Sequence, residues 1–156
     1  MRTDVSLTSL HRSDAAWLHA QATAYFRELV PDVPGPEMIE IEHWFDDPDC
    51  YTLLISVAHD RVGFALIDRM KDHHELAEFC VFPNWRNAGI GTQAVALCFE
   101  RFPGPWTLGV ASASSGTARF WDRFLTEHSG IQDLVRGAAF TPYQSHSYSF
   151  TIRDQT

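Results

Sequence analysis

The sequence predicts a mixed α/β protein built around one sheet. Apolar residues with strand-like alternation and segments with helical spacing follow each other along the chain. The predicted order is one strand, two helices, three strands, a helix, a strand, a helix and two strands. Such mixing of strands and helices is typical of one layered domain, residues 1–156. At 45% hydrophobic residues, including 11 Phe and 5 Trp, the chain can bury a substantial core.

Seven strands and four helices are predicted. A Ser13-Asp14 pair starts the first helix, and Pro103-Gly104-Pro105 ends the third. His59-Asp60 separates two strands as a hairpin turn would. The predicted strands are 5–10, 50–58, 61–70, 73–82, 106–111, 131–140 and 143–152. The predicted helices are 15–30, 37–45, 89–102 and 115–126.

Charge and composition exclude several classes of protein. A net charge of −8 argues against a nucleic-acid partner, which favours basic surfaces. No apolar run approaches the ~18 residues of a membrane span, and residues 1–20 do not resemble a signal peptide. The three cysteines indicate reduced thiols in a cytoplasmic protein. The eight His are scattered and no C-x-x-C occurs, so no metal site is predicted.

The segment 86–91 is the strongest functional signal. It reads Arg-Asn-Ala-Gly-Ile-Gly and joins a predicted strand to a predicted helix. The first turn of a helix has unpaired N–H groups, and glycine lets an anion approach them closely. The helix dipole favours negative charge at this end, and Arg86 adds a positive charge. These features predict a site for a diphosphate.

Several known motifs compete for this segment. A P-loop is excluded because no Lys-Ser or Lys-Thr follows the glycines. Gly89 to Ala94 reads G-x-G-x-x-A, as in a dinucleotide site, but the next strand ends without the carboxylate that would hold a ribose. An ordinary strand–turn–helix with glycines at its turn remains an alternative.

The pattern Arg86-x-x-Gly89-x-Gly91 resembles the pyrophosphate loop of the GNAT superfamily of acyl-CoA N-acyltransferases. The predicted element order is also that of the GNAT fold, so the resemblance spans nearly the whole chain. It implies a mixed, largely antiparallel sheet of about seven strands that splays between the strands at 73–82 and 106–111. The pair Phe120-Trp121 and the segment 102–106 are similar to a bacterial branch of predicted acetyltransferases.

The resemblance implies acetyl-CoA as co-substrate. Backbone groups of the strand before the loop would pair with the pantetheine arm, and N–H groups of the loop would bind the pyrophosphate. Ser114 stands where many members have an Asn that contacts the coenzyme. The implied coenzyme-binding residues are Phe79, Cys80, Val81, Arg86, Asn87, Ala88, Gly89, Ile90, Gly91, Thr92 and Ser114.

Trp121 stands where the family usually has the Tyr that protonates the departing thiolate. An indole N–H donates a hydrogen bond but is not a practical acid. A solvent proton, Tyr143 or Tyr148 would then replace the usual acid. Core packing is the alternative role for Phe120 and Trp121.

A general base is also required, because an amine with a pKa near ~10.4 is protonated at pH 7. Glu78 is the first candidate and His74 the second. In a regular strand both would lie on one face with Leu76 and Cys80, toward the acceptor, while Glu75 would point the other way. The alternative for each candidate is a solvated surface side chain.

The acceptor side is predicted to be acidic. From Glu28 to Asp60 the chain has no Lys or Arg and nine Asp or Glu. In the family, the first two helices and their loop roof the acceptor cleft. Negative potential there favours a cationic acceptor, either a small-molecule amine or a lysine or N-terminal amine of a peptide.

The leading function is direct acetyl transfer in a ternary complex, by a monomer or homodimer with neither a nucleic-acid nor a membrane partner. A GNAT-fold domain that senses acyl-CoA without turnover, and a purely structural α/β domain, are the alternatives.

Overall fold

The structure is a computed structural model that describes residues 4–31, 41–112 and 115–154, apart from the Ser115 side chain. It confirms the mixed α/β architecture with seven strands in one sheet and four helices. The strands are β1 Val5–Ser9, β2 Cys50–Val57, β3 Asp60–Arg69, β4 His74–Val81, β5 Gly104–Ala111, β6 Ile131–Gly137 and β7 Gln144–Ile152. The helices are α1 Ala15–Leu29, α2 Ile41–Asp46, α3 Ile90–Arg101 and α4 Ser115–Glu127. Short 3-10 turns lie at Arg12–Asp14 and Pro83–Trp85.

The strand order across the sheet is β1-β2-β3-β4-β5-β7-β6. Every neighbouring pair is antiparallel except β4 and β5, which are parallel because α3 connects them across one face. The predicted sheet, mixed and largely antiparallel, is therefore confirmed.

The predicted splay is confirmed at the parallel pair. Only three residue pairs join the two strands, from His74 opposite Trp106 to Leu76 opposite Leu108. Beyond Leu76 the strands part, although β4 continues to Val81 and β5 to Ala111. The gap leaves one edge of β4 without a neighbouring strand.

The helices fill two hydrophobic cores, one on each face of the sheet. On one face, Phe99 of α3 and Trp121 of α4 pack around Trp106 of β5. On the other, Leu18 of α1 and Ile41 of α2 pack against β3. The two faces of β4 therefore meet different helix pairs.

A β-bulge interrupts β4. Leu66 of β3 pairs with Glu78, and the next residue, Ile67, pairs with Leu76, so that Ala77 is the extra residue. A bulge reverses the side-chain alternation that a regular strand would have. This reversal decides which carboxylates of β4 face α1.

No helix of the described residues is long and apolar enough to span a membrane. Cys50, Cys80 and Cys98 are free thiols.

Candidate active site

A cavity of about 2000 Å³ opens at the splay. Tyr25 of α1 and Trp44 of α2 line one end, residues 76–81 of β4 form its middle, and Phe120 of α4 lines the far side. The loop before α3 also borders it through Arg86, Asn87, Gly89, Gly91 and Thr92. The elements that the resemblance assigned to coenzyme and acceptor therefore meet in one continuous space.

The loop presents a row of N–H groups to this cavity. Gly89, the N-cap of α3, has φ +78°, a left-handed conformation that suits glycine. Asn87 is also left-handed, with φ +64°. The N–H of Gln93 donates to the Gly89 carbonyl at 3.2 Å, whereas the N–H groups of residues 87–92 form no hydrogen bond with another described residue. This arrangement offers the unpaired N–H groups that the predicted anion site requires, and the binding of a diphosphate there stays a prediction.

Gly91 permits the close approach of two helices. A Cβ at this position would lie 3.3 Å from the Phe120 ring of α4. Ile90, although predicted to bind through its backbone, has a side chain buried in the core with Ala94 and Val81. The Ala88 side chain is exposed and does not line the cavity.

The positive charge of Arg86 is balanced by Glu28 of α1, which the sequence analysis did not anticipate. The guanidinium donates to both Glu28 carboxylate oxygens, at 2.7 and 2.8 Å, and its Nε donates to the Val81 carbonyl at 2.7 Å. This pairing lowers the pKa of Glu28 and raises that of Arg86. Arg86 thus ties the end of α1 to the loop, rather than standing as a free charge beside the N–H groups.

The backbone groups of the three predicted pantetheine-binding residues of β4 do not all face the gap. The Phe82 N–H donates to Val62 of β3 at 2.8 Å, and the Cys80 carbonyl lies so close to Gly63 that a Cβ there would overlap it. Because backbone groups alternate along a strand, those of Phe79 and Val81 face the gap. The expectation that Cys80 pairs there through its backbone is wrong, since its carbonyl points to β3.

Glu78 is a partly buried carboxyl group on the wall of the cavity. Burial is the main cause that raises its pKa to about 8, and the nearby Glu75 raises it further, while hydrogen bonding with Tyr25 lowers it. Burial and Glu78 in turn raise the pKa of Tyr25 well above its usual value. A carboxylate that gains and loses its proton near neutral pH is suited to general-base catalysis.

The bulge corrects the faces predicted for the neighbours of Glu78. Glu75 pairs with Asp68, which lies on the same face of β3 as Leu66, the partner of Glu78, so the two glutamates share the face toward α1. Leu76 lies in the opposite core. The expectation that Glu75 points away from Glu78 was wrong because it assumed a regular strand.

His74 also lies on the opposite face from Glu78. Its ring stacks on Phe102 and Trp106, with centroids 4.6 and 5.3 Å away, and burial lowers its pKa. The structure therefore gives His74 a packing role beneath α3 and separates it from the acceptor side of the cavity.

Trp121 is buried, with 6% of its surface exposed, and packs edge-on against Phe79 with centroids 5.8 Å apart. Of the two hydroxyls considered as its replacement, Tyr143 lines the cavity, while Tyr148 is buried and donates to Asp122 at 3.4 Å. Ser114 lies outside the described residues.

Tyr25 and Glu28 are site residues that the sequence analysis missed. They lie three residues apart on α1, a spacing that places both on one helical face. That spacing was a usable signal, but Tyr25 also fits the apolar pattern of the helix and Glu28 looks like a solvated end residue.

The residues present fit coenzyme A. The loop offers consecutive N–H donors for a diphosphate, and the gap offers the edge of β4 with apolar walls of Phe79 and Phe120. Charge-assisted hydrogen bonds contribute roughly 1.5–3 kcal/mol each, so several loop donors would hold the coenzyme without a further cation.

The same fold and family are found by comparison with known proteins. Residues 16–125 match the model of the acetyltransferase (GNAT) family. No curated protein matches significantly. An acetyltransferase from Thermus thermophilus is 15% identical with a TM-score of 0.68, and the match covers 95% of this chain and 97% of that one.

Two similar structures carry coenzyme A. The spermidine N-acetyltransferase from Vibrio cholerae, in complex with CoA and spermine, is 14% identical with a TM-score of 0.65 and 95% of both chains covered. The PaiA N-acetyltransferase from Thermoplasma acidophilum, in complex with coenzyme A, is 14% identical with a TM-score of 0.62, covering 95% of this chain and 99% of that one. At these identities the structures show the fold alone.

Proposed function

This chain belongs to the acetyltransferase (GNAT) family, and on that premise we propose that it acetylates a primary amine of a cationic acceptor, with Glu78 as the general base. Acetyl-CoA, the co-substrate of the family, supplies an activated acetyl thioester. The observation that carries the proposal is the position of Glu78, a partly buried carboxyl of raised pKa on the wall of the cavity beside the open edge of β4.

The acceptor amine needs Glu78 in its charged form. The carboxylate takes a proton from the ammonium group, directly or through a water, and leaves a neutral amine able to attack. With a pKa of about 8, only a minor fraction of Glu78 is ionised at pH 7. The rate is therefore expected to rise with pH until Glu78 is ionised and then to level off.

Tyr25 holds Glu78 in place. Its phenol is a hydrogen-bond partner of the carboxylate, and hydrogen bonding to the charged form is what keeps the pKa of Glu78 from rising further. The aromatic ring is fixed in turn by an edge-on contact with Phe64, with centroids 5.6 Å apart. A base with one fixed orientation loses less entropy when the acceptor binds.

The backbone supplies the remaining chemistry. The N–H group of Val81 faces the gap and is a donor available to polarise a carbonyl held there, whereas the backbone of Phe79 already hydrogen-bonds with Tyr25. The N–H groups of residues 87–92 bind the diphosphate, which aligns the coenzyme along the edge of β4. Direct attack in a ternary complex requires no covalent intermediate on the protein.

The choice of a cationic acceptor is supported by the charges of the cavity. Glu75 lies on the face of β4 toward α1, and no Lys or Arg occurs between Glu28 and Asp60. Trp44 and Tyr25 line the same end and add aromatic faces that attract cations.

Glu78→Gln tests the role of the base. We expect kcat/KM to fall by about 10²-fold or more, in the range of a lost general base. The rise of the rate between pH 6.5 and 9 should disappear, because Gln cannot ionise over that pH range. Release of free thiol from acetyl-CoA with a panel of amines measures both effects.

Glu100→Gln, an exposed carboxylate of α3, is the matched control and should behave as wild type. If Glu78→Gln retains the wild-type pH profile, Glu78 is not the base. If wild type releases no thiol with any amine, the proposal of amine acetylation fails as a whole.

A further inference from the structure

Three metal-binding side chains converge where α2 meets β2, although the sequence predicts no metal site. His43, Asp47 and Cys50 each place one ligand atom within 4.8 Å of the others. The Nε2 atom of His43 lies 3.7 Å from Oδ2 of Asp47. The spacing H-x-x-x-D-x-x-C is not one of the usual zinc spacings, so only the fold reveals the group.

Backbone hydrogen bonds hold the three residues in this arrangement. The Asp47 N–H donates to the His43 carbonyl at 3.0 Å, and the Cys50 N–H donates to the Asp47 carbonyl at 3.1 Å. The Asp49 N–H donates to Oδ1 of Asp47 at 2.9 Å, which leaves Oδ2 directed to His43. Outer hydrogen bonds that orient a ligating carboxylate are a regular feature of metal sites.

The group lacks a compensating cation. The Cys50 thiol donates to Oδ1 of Asp68 at 3.1 Å, and Asp47 and Asp49 closely precede Cys50 in the chain. Within residues 4–31, 41–112 and 115–154, no Lys or Arg forms an ion pair with these three aspartates. A site this negative, with no basic partner, attracts a divalent cation.

We propose that His43, Asp47 and Cys50 bind one Zn²⁺ ion through imidazole nitrogen, carboxylate oxygen and thiolate sulfur. This donor set suits Zn²⁺, and the thiol releases its proton to solvent as the metal binds. Zn–ligand bonds of about 2.0–2.3 Å in a tetrahedron place ligand atoms about 3.3–3.6 Å apart. The 3.7 Å between Nε2 of His43 and Oδ2 of Asp47 is already close to this separation. Water completes the four ligands.

The proposed ion would fix the end of α2 to the start of β2. His43 also lines the acceptor end of the cavity, so the ion would steady one wall of that space without entering the reaction. Zn²⁺ binding at these three residues can be measured whether or not the protein transfers acetyl groups.

Zn²⁺ titration of the full chain against a chromophoric chelator, after treatment with EDTA, is the first test. We expect one ion bound per chain and a rise in Tm with zinc concentration, because a ligand that prefers the folded state stabilises it. Co²⁺ in place of Zn²⁺ should give a thiolate-to-metal charge-transfer band and the intense visible bands of tetrahedral cobalt.

Cys50→Ser should remove the charge-transfer band, and both Cys50→Ser and His43→Asn should weaken Zn²⁺ binding more than about tenfold. His43 is exposed, so its substitution should leave the fold intact, as checked by circular dichroism and acetyl-CoA affinity. The controls are His59→Asn in the exposed β2–β3 turn and Cys98→Ala in the core, which should retain the metal.

Absence of stoichiometric zinc in the wild type would overturn the proposal. So would a cobalt spectrum without a thiolate band, or wild-type zinc affinity in both Cys50→Ser and His43→Asn.

Discussion

Glu78 shows how one residue can serve catalysis at a cost in stability. Its pKa in the folded protein, about 8, lies above the usual value of 4.5 because the charged form is poorly solvated. Between these two values the unfolded chain releases the proton while the folded protein keeps it. Stability is therefore greatest below pH 4.5 as far as this group is concerned, and it falls as pH rises to about 8.

Glu78→Gln removes that pH-dependent loss. We expect the free energy of unfolding of the variant to rise relative to that of wild type by about 1.4 kcal/mol for each pH unit between pH 5 and 8. The Tm of the variant should therefore exceed that of wild type most at the alkaline end. Thermal unfolding across this pH range measures the difference. A constant difference in Tm would mean that Glu78 has an ordinary pKa, and the catalytic argument would lose its basis.

Glu75 gives an independent test of the same electrostatics. The two carboxyl groups share a face, and the charge of Glu75 raises the pKa of Glu78. Glu75→Gln should therefore move the midpoint of the pH–rate profile to lower pH and leave its plateau nearly unchanged. Asp14→Asn, which breaks an ion pair with Arg61 elsewhere, should leave the midpoint in place. An unmoved midpoint in Glu75→Gln would contradict the shared face that the bulge creates.

The loop before α3 is an element whose conformation and function can be separated by experiment. Gly89 has φ +78° and Gly104 has φ +113°, and a Cβ at either position meets no other group closer than 3.9 Å. Val is strained at both positions by its backbone angle rather than by a clash. Only Gly89 borders the cavity.

Gly89→Val and Gly104→Val therefore form a matched pair. Both should lose stability by a similar amount, on the order of 1–3 kcal/mol. Calorimetry should show acetyl-CoA binding weakened by about tenfold or more in Gly89→Val only, because a branched side chain there obstructs the N–H groups. Equal affinities in the two variants would show that the loop does not hold the diphosphate.

The elements were more predictable from the sequence than the contacts between them. Apolar periodicity and the positions of Pro and Gly predicted all seven strands, because these signals are local. Gly89 and Gly91 likewise predicted the loop that opens α3, in which Gly89 is left-handed. The bulge at Ala77 has no local signal: two strands must be paired before an extra residue can be seen. The pairing of Arg86 with Glu28 joins residues 58 positions apart, so their charges could not be matched from the sequence.

At the scale of the whole molecule, the two helix layers on either side of β4 have different predicted roles. Helices α3 and α4 with the loop before α3 form the predicted coenzyme side, and α1 and α2 form the predicted acceptor side. Ordinary alternation turns Phe79 to one side and Glu78 to the other, and the bulge adds Glu75 to the side of Glu78. The net charge of −8 extends the negative potential beyond the cavity.

This distribution of charge predicts selectivity among acceptors of equal length. Putrescine can be compared with its analogues in which a hydroxyl or a carboxylate replaces the second amine. A second positive charge near Glu75 gains about 1–1.5 kcal/mol at a partly solvated site, so kcat/KM for the diamine should exceed that of the amino alcohol by about tenfold. The amino acid should be the poorest acceptor. Because mobile ions screen such attraction, the advantage of the diamine should shrink as salt rises from 50 mM to 500 mM, roughly a threefold shorter Debye length. Preference for the amino acid, or selectivity that salt does not change, would show that the charges around Glu78 do not select the acceptor.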